Sequence, residues 1–379
     1  MTRIGRSGAA MRSLVENQIC ISTIKYMIRG DPTVKRFFGL PILLIFTSPV
    51  LAHHSEAGLD MNSVVELQGA VTEFRWRNPH VYITIDSTDE EGGQSEWKVQ
   101  AFAIPLMSRM GWTRDSVAVG DYVYVDVHPA RNGRPYGFLE SIVKDDGSVL
   151  PTSFDAITGE AKAKAPTTIQ ASTSLNGVWK VDSTNLERYP GGSEGYFNAK
   201  LELTEKARVA QSVYDEESEQ NPVSQCIGVP EPYMTVLATI FPLEISINEE
   251  DSTASIRSGA FDYHQTVYLD GRGHPEDGVR TFAGHAIGWW EQDTLVVDTR
   301  LFADHRDAYQ IGVPSGVEKH VVKRYRLIDG GKRIEVEFIL EDPEYLVGSL
   351  TDRREMIYSP HIEIVPFDCD PESAMQFLN

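Results

Sequence analysis

The chain has 379 residues, 41% of them apolar and 24% charged, and 35 Lys and Arg against 55 Asp and Glu leave a net charge of −20. That composition has room for two ordinary domains and excludes a disordered tail, a coiled coil and a disulfide-dense scaffold. A surface this acidic repels phosphate backbones and anionic lipid, so no nucleic-acid partner is expected.

The first element is Phe37 to Ala52, a 16-residue apolar run preceded by Lys35 and Arg36. It is too short for the ~20 residues a membrane helix needs, and Pro41 and Pro49 interrupt it. Val50-x-Ala52 fits the small-residue rule for cleavage, so the run reads as a signal peptide with no integral membrane span after processing. Met27 opens a leader of ordinary length, which makes residues 1–52 an upstream extension plus signal peptide. Their removal takes away seven basic and two acidic residues and leaves 327 residues at about −25, in the periplasm or secreted. Cys226 and Cys369 then remain as an even pair in an oxidising compartment and are expected to form a disulfide.

Residues 53–143 form the first expected domain. Val64–Phe74 leads into Val81–Asp86, the acidic turn Asp89–Gly93 returns the chain through Trp97–Gln100, and Ile104–Met110 has the stop signal Gly111 of a short helix. Tyr122–Val127 and Gly137–Val143 complete about five strands with one helix, the pattern of a small OB-like barrel. Residues 144–173 lack an apolar period and read as a linker. In residues 174–379 a further run of strands is expected: Leu175–Val181, Ala199–Thr204, Leu243–Ile247, Ala254–Ile256, Phe261–Leu269, Gly284–Glu291, Thr294–Thr299, His320–Leu327, Arg333–Leu340 and Glu355–Tyr358. Almost no helical pattern intervenes. The expected fold is all-β, a small OB-like barrel followed by a larger lipocalin-like antiparallel β-barrel, with a flat sandwich as the alternative for the second part.

His53-His54-Ser55, Gly69-x-Val71-x-x-Phe74-x-Trp76-x-Asn78-Pro79-His80 and Gly111-Trp112-x-x-Asp115-Ser116 together resemble an uncharacterised family of small exported bacterial proteins. Leu269-Asp270-Gly271-Arg272-x-His274-Pro275, Gly284-His285-x-Ile287-Gly288-x-Trp290-Glu291 and Asp293 to Thr299 are similar to another set of uncharacterised exported bacterial proteins. Neither resemblance implies an activity.

Two groups of residues carry candidate chemistry. Cleavage after Ala52 leaves His53 with a free α-amine beside its imidazole, and His80 or His128 would complete a three-nitrogen copper site of the histidine-brace type. In the larger barrel, the strand period of two puts Asp262, His264, Thr266 and Tyr268 on one face, with His285 and Trp289 on a later strand, Trp290 beside them and Asp298 on the return strand. If those faces point inward, His264, Tyr268, Trp289 and Trp290 would line a small-molecule site. His285 with Asp298 or Asp262 would then suit acid–base catalysis of the lyase, isomerase or hydrolase type. Gly284-His285-Ala286-Ile287-Gly288 has alanine where a nucleophile elbow needs serine, and Asp270–Asp277 is first of all a turn before it is a calcium loop. The expected function is therefore an exported soluble protein binding a small organic ligand in the larger barrel. The alternatives are the acid–base enzyme and a copper-handling protein.

Overall fold

The computed structural model describes residues 58–88, 93–152, 169–184, 186, 187, 189 and 192–378. The signal peptide, Met27, His53, most of the acidic turn after Thr88 and the centre of the expected linker lie outside the described residues.

The first barrel is built from β1 (Val65–Arg75), β2 (Tyr82–Thr88), β3 (Gln94–Gln100), α1 (Ile104–Arg109), β4 (Tyr122–Pro129) and β5 (Tyr136–Lys144), with β6 (Val149–Leu150) added beside β5. The order β3-β2-β1-β4-β5 closes through a parallel pairing of β3 with β5, Lys98 opposite Tyr136 and Gln100 opposite Phe138. Alternating β-branched residues turn inward to form the core, among them Val71, Ile83, Ile85, Val99, Val123, Val125 and Ile142, and α1 packs Leu106 and Met107 against it. Gly69 is required where β1 crosses β2, because a Cβ there would run into the Asp86 carbonyl.

The motifs that carried the sequence resemblance here have structural work. The Asn78 side chain accepts from the Ile104 backbone N–H at 2.8 Å, opening α1, and donates to the Phe367 carbonyl. Trp112 is buried and donates its indole N–H to the Pro151 carbonyl at 2.6 Å, while Ser116 closes the turn by accepting from the Thr113 N–H at 2.8 Å.

The second barrel begins with β7 (Gly177–Val181). A helical excursion follows: α2 (Gly192–Lys200), α3 (Glu205–Ser212) and α4 (Tyr233–Leu237). The chain then runs through β8 (Leu243–Asn248), β9 (Thr253–Ser258), β10 (His264–Tyr268), β11 (His285–Glu291), β12 (Thr294–Arg300), β13 (His320–Ile328), β14 (Arg333–Glu341) and β15 (Ser349–Tyr358), with α5 (Pro371–Ala374) near the end. Nine strands close into a barrel in chain order, β15 returning to β7. Three expectations need correction, the first being that almost no helix intervenes between the strands, since α2, α3 and α4 do. The strand expected over Ala199–Thr204 is the end of α2 and a short connection in which only Leu203 makes a β-bridge, to Leu346, and Thr204 caps α3 by accepting from the Ala207 N–H at 3.2 Å. Nor is the barrel wholly antiparallel: β10 and β11 pair in parallel, Val267 opposite Ala286 and Tyr268 opposite Ile287. At that pairing Gly288 leaves room that a Cβ would take from Val267, at 2.8 Å.

The lumen of this barrel is a packed core rather than an open calyx. Trp179, Leu243, Ile256, Val267, Leu295, Val297, Val321, Tyr325, Val336 and Phe338 fill it, and α4 brings Tyr233 and Met234 into the same cluster. Within it lies a fully buried ion pair, Lys323 to Glu231 at 2.6 Å. Glu231 also accepts from the Thr235 hydroxyl at 2.9 Å and the Tyr263 hydroxyl at 3.2 Å, and Lys323 reaches the Gln265 carbonyl oxygen at 3.3 Å. A carboxylate of the excursion is thereby locked to a strand of the wall.

Both barrels belong to one compact unit, Leu51–Asn379. The C-terminal segment links them: Cys369 bridges to Asn78 of the first barrel and lies at disulfide distance from Cys226 of the excursion, with S–S 2.06 Å and Cα–Cα 5.8 Å. Across the same boundary Arg109 donates to the Ile240 carbonyl and Arg134 to that of Phe377. No helix among the described residues is long and apolar enough to cross a membrane.

Candidate functional site

A cavity of about 710 Å³ lies where the two barrels meet, within the range of small-molecule sites. Its first wall is the parallel seam of the small barrel and the loops beside it: Phe102 follows β3, Tyr136 and Phe138 stand on β5, and His80 enters from the loop before β2. The opposite wall is the helical excursion, with Tyr189, Tyr196, Tyr233 and Phe241, and Phe261, Phe367 and Phe377 close it. Ten aromatic rings thus line the cavity among the described residues.

Its wall is mainly apolar, and its polar groups are mostly held. Gln100 accepts from the Tyr82 hydroxyl at 3.3 Å and from that of Tyr136. Tyr233 donates to Glu194 at 2.9 Å and packs its ring on Phe197. Burial pushes the Tyr233 hydroxyl well above its ordinary range, and the charge of Glu194 adds to this. His80 is pushed down to about 4 by burial, against the opposing hydrogen bond to the Ala101 backbone, so its ring is neutral at pH 7. Its Nδ1 is buried without a hydrogen-bond partner. Arg354 donates to Asp352 at 2.9 Å and lies over Tyr196 at 4.6 Å.

The residues singled out in the larger barrel are elsewhere, and their faces are reversed. Gln265 and Val267 are the inward residues of β10, so His264, Thr266 and Tyr268 point outward, as do His285, Trp289 and Asp298. The cause is that inner positions of this barrel carry Gln265 and Lys323, so a polar residue does not mark the outer face. His264 is exposed and bonds the Ser255 hydroxyl at 3.1 Å. Trp289 and Trp290 are 42% and 47% exposed, Trp289 donating to Glu291 at 2.9 Å. Asp262 is no partner of His285: its carboxylate accepts from the Phe367 and Asp368 backbone N–H groups at 2.7 and 3.2 Å.

His285 and Asp298 do come together on the outer wall, through a residue not singled out for chemistry. His274, on the loop between β10 and β11, contacts His285 Nδ1 through its own Nδ1 at 2.9 Å and Asp298 through Nε2 at 2.9 Å. His320 meets the other oxygen of Asp298 at 3.0 Å and Glu341 at 3.1 Å. The His274 and His285 ring centroids are 5.1 Å apart, and the excess over the 2.9 Å contact is close to one ring diameter, so the two nitrogens point along one line as in a shared hydrogen bond. With Nε2–H of His274 donated to Asp298, its Nδ1 accepts from His285 Nδ1–H. Tyr268 stacks on His285 at 5.4 Å, and Arg272 covers Tyr268 at 4.0 Å.

The charges of this row differ along its length. His320 is raised, chiefly by its bond to Asp298, and burial opposes the rise only in part. Burial would raise Asp298, but bonds from His320 and His274 outweigh it and hold the carboxyl below its usual range. His285 is lowered by burial and by the neighbouring His274 and Arg272.

Of the metal candidates, His80 lines the cavity, whereas His128 is held between the Ser63 carbonyl at 2.9 Å and Glu140 at 3.2 Å. Among the described residues no group of three or more His, Cys, Asp or Glu is arranged to hold a metal ion.

Fold and cavity together define an all-β protein of a small and a larger closed barrel with an aromatic chamber between them. A family model described as a family of unknown function (DUF6152) matches residues 42–139, which covers the small barrel into β5. No curated protein matches the chain.

Proposed function

We propose that this protein is an exported binder of a small organic molecule, held between the two barrels. The observation that carries this is the 710 Å³ cavity with its ten aromatic rings. Aromatic walls bury a ligand with little loss of side-chain entropy, and the polar groups between the rings fix its orientation. The packed lumen of the larger barrel moves the site from the barrel interior to the junction. Export is supported by the signal-like run Phe37–Ala52 and by the Cys226–Cys369 pair, which belongs to an oxidising compartment. We read the chain as two exported modules joined in one polypeptide, the first of them the part that the family of unknown function matches.

The test is to recover the protein from the periplasm or medium and analyse it by native mass spectrometry for a bound organic molecule. Thr239 lines the cavity, so Thr239→Trp puts an indole into it and narrows it. Loss of the bound mass in a folded Thr239→Trp protein is expected, and an unliganded wild type that binds nothing from a metabolite extract would refute the reading.

A second reading, acid–base catalysis at His285 and Asp298, is favoured by the hydrogen-bonded row through His274. Copper at His53 rests on the processed terminus alone.

A further inference from the structure

We infer that the cavity between the barrels takes an organic cation, a protonated amine carried on an apolar or aromatic body. This rests on the cavity being the ligand site and adds the charge and hydrogen-bonding character of its occupant.

Formal charge is the first argument. Six carboxylates line the cavity against three guanidinium groups among the described residues, and His80 adds no positive charge because burial keeps it neutral. The three guanidinium groups are engaged by the protein's own acceptors. Arg109 serves the carbonyls of Pro105 and Ile240, Arg134 that of Phe377 together with Glu217 at 3.6 Å, and Arg354 the carboxylate of Asp352. An anionic ligand entering here would meet a surplus of negative charge, with only the Nε–H of Arg354 left buried without a partner, whereas a cation is drawn in.

The walls give a second argument, independent of the carboxylates. Aromatic faces attract cations, the more so when water is excluded. Two of the lining rings already do so within the protein: the Arg134 guanidinium lies 4.4 Å from the centre of Tyr136, and that of Arg354 lies 4.6 Å from Tyr196.

The third argument is the hydrogen-bonding sense. His80 bonds the Ala101 backbone, and its buried Nδ1 has no partner. In the neutral ring that nitrogen is a bare lone pair, an acceptor whose complement is a donor N–H. A protonated amine satisfies all three demands. A quaternary ammonium meets two and a neutral alcohol one, whereas a carboxylate meets none of them and complements only the buried Nε–H of Arg354.

Three probes with one body separate these cases: 4-phenylbutylammonium, 4-phenylbutanol and 4-phenylbutanoate, titrated calorimetrically into the full processed chain. The ammonium is expected to bind about tenfold more tightly than the alcohol, and the carboxylate most weakly. Glu194→Gln and Glu216→Gln, which retain an acceptor oxygen, should each reduce the ammonium advantage, and Thr239→Trp should weaken binding of the ammonium. An alcohol that binds as tightly as the ammonium, or a carboxylate that binds best, overturns the cation inference and leaves the cavity as a site. Ammonium binding left unchanged by Thr239→Trp, Glu194→Gln and Glu216→Gln alike is adsorption to the acidic surface and also overturns it. Failure of all three probes to bind overturns the cavity reading together with the inference.

Discussion

Two buried lysines near the start of one strand should respond to the same substitution in opposite directions. Lys323 and Lys319 are 0% and 1% exposed. Lys323 sits 2.6 Å from Glu231, and its pKa is raised because the pull of Glu231 outweighs burial. Lys323→Met leaves Glu231 as a buried carboxylate without its cation, a loss of about 3–5 kcal/mol. Over the 329 residues of the unit, unfolding entropy converts 4 kcal/mol into a fall in Tm of about 6 °C. The double variant Lys323→Met with Glu231→Leu should recover much of the loss, because removing both charges removes the uncompensated one. Lys319 has the rings of Phe302 and Tyr309 over its charge, at 5.0 and 4.7 Å, and is pulled on by Asp342 and Glu231, but its Nζ has no hydrogen-bond partner. Burial lowers it to about 7, so between pH 7 and its unfolded value of about 10.5 the unfolded chain binds more protons and stability rises with pH. Lys319→Met is therefore expected to raise Tm at pH 7 and to flatten that rise. Calorimetric melts of the two single variants and the double variant decide the matter. A Lys323→Met protein as stable as wild type, or a Lys319→Met protein as damaged as Lys323→Met, would refute the assignment of one lysine as paired and the other as strained.

Three further outcomes are expected. His80 and His305 are both pushed down to about 4 by burial, so the stability each contributes above pH 6.5 is lost as pH falls, about 2 kcal/mol apiece at pH 5. Denaturant melts at pH 7 and pH 5 that coincide would contradict this. Replacing both Cys226 and Cys369 by serine opens a loop of 143 residues and should cost up to about 5 kcal/mol, read from urea midpoints of the oxidised protein and the variant. Asp298→Asn should lower the His320 pKa, followed by histidine-resolved NMR titration; an unchanged His320 would mean that Glu341 alone sets it.

The strand pattern was readable because the inner residues of both barrels are mostly β-branched or aromatic and the turns carry Gly and Asp; the OB-like helix Ile104–Arg109 followed from Pro105 and Gly111. The strand expected at Ala199–Thr204 failed because Phe197, Leu201 and Leu203 suit either period, and the N-cap at Thr204 was the overlooked signal. The inward face failed for a different reason. In His264-Gln265-Thr266-Val267-Tyr268 every residue but Val267 can hydrogen-bond, and only the distant partners Ala283, Thr299 and Lys323 tell that Gln265 is inside. His274 was legible as a residue of a turn and not as the link between His285 and Asp298, since that link depends on how a 16-residue loop lies on the wall. The cavity draws on both barrels and the C-terminal segment, from Gly58 to Phe377, so no local pattern announces it.

Each barrel has an odd number of strands, five and nine. Directions that alternate around a closed ring cannot match at the join when the count is odd, so each ring must contain at least one pair of neighbours running the same way. Here each contains one, β3 with β5 and β10 with β11. Parallel neighbours cannot be joined by a hairpin, and the chain must make a detour of a dozen or more residues between them. In the large ring that detour is the loop that lays His274 over His285 and Asp298; in the small ring it runs through α1 and β4 and returns to set Tyr136 and Phe138 beside Gln100 on the cavity wall. Parity thus locates both places where chemistry gathers: a tenth strand, or a sixth, would let the ring alternate throughout and would remove the reason for either detour.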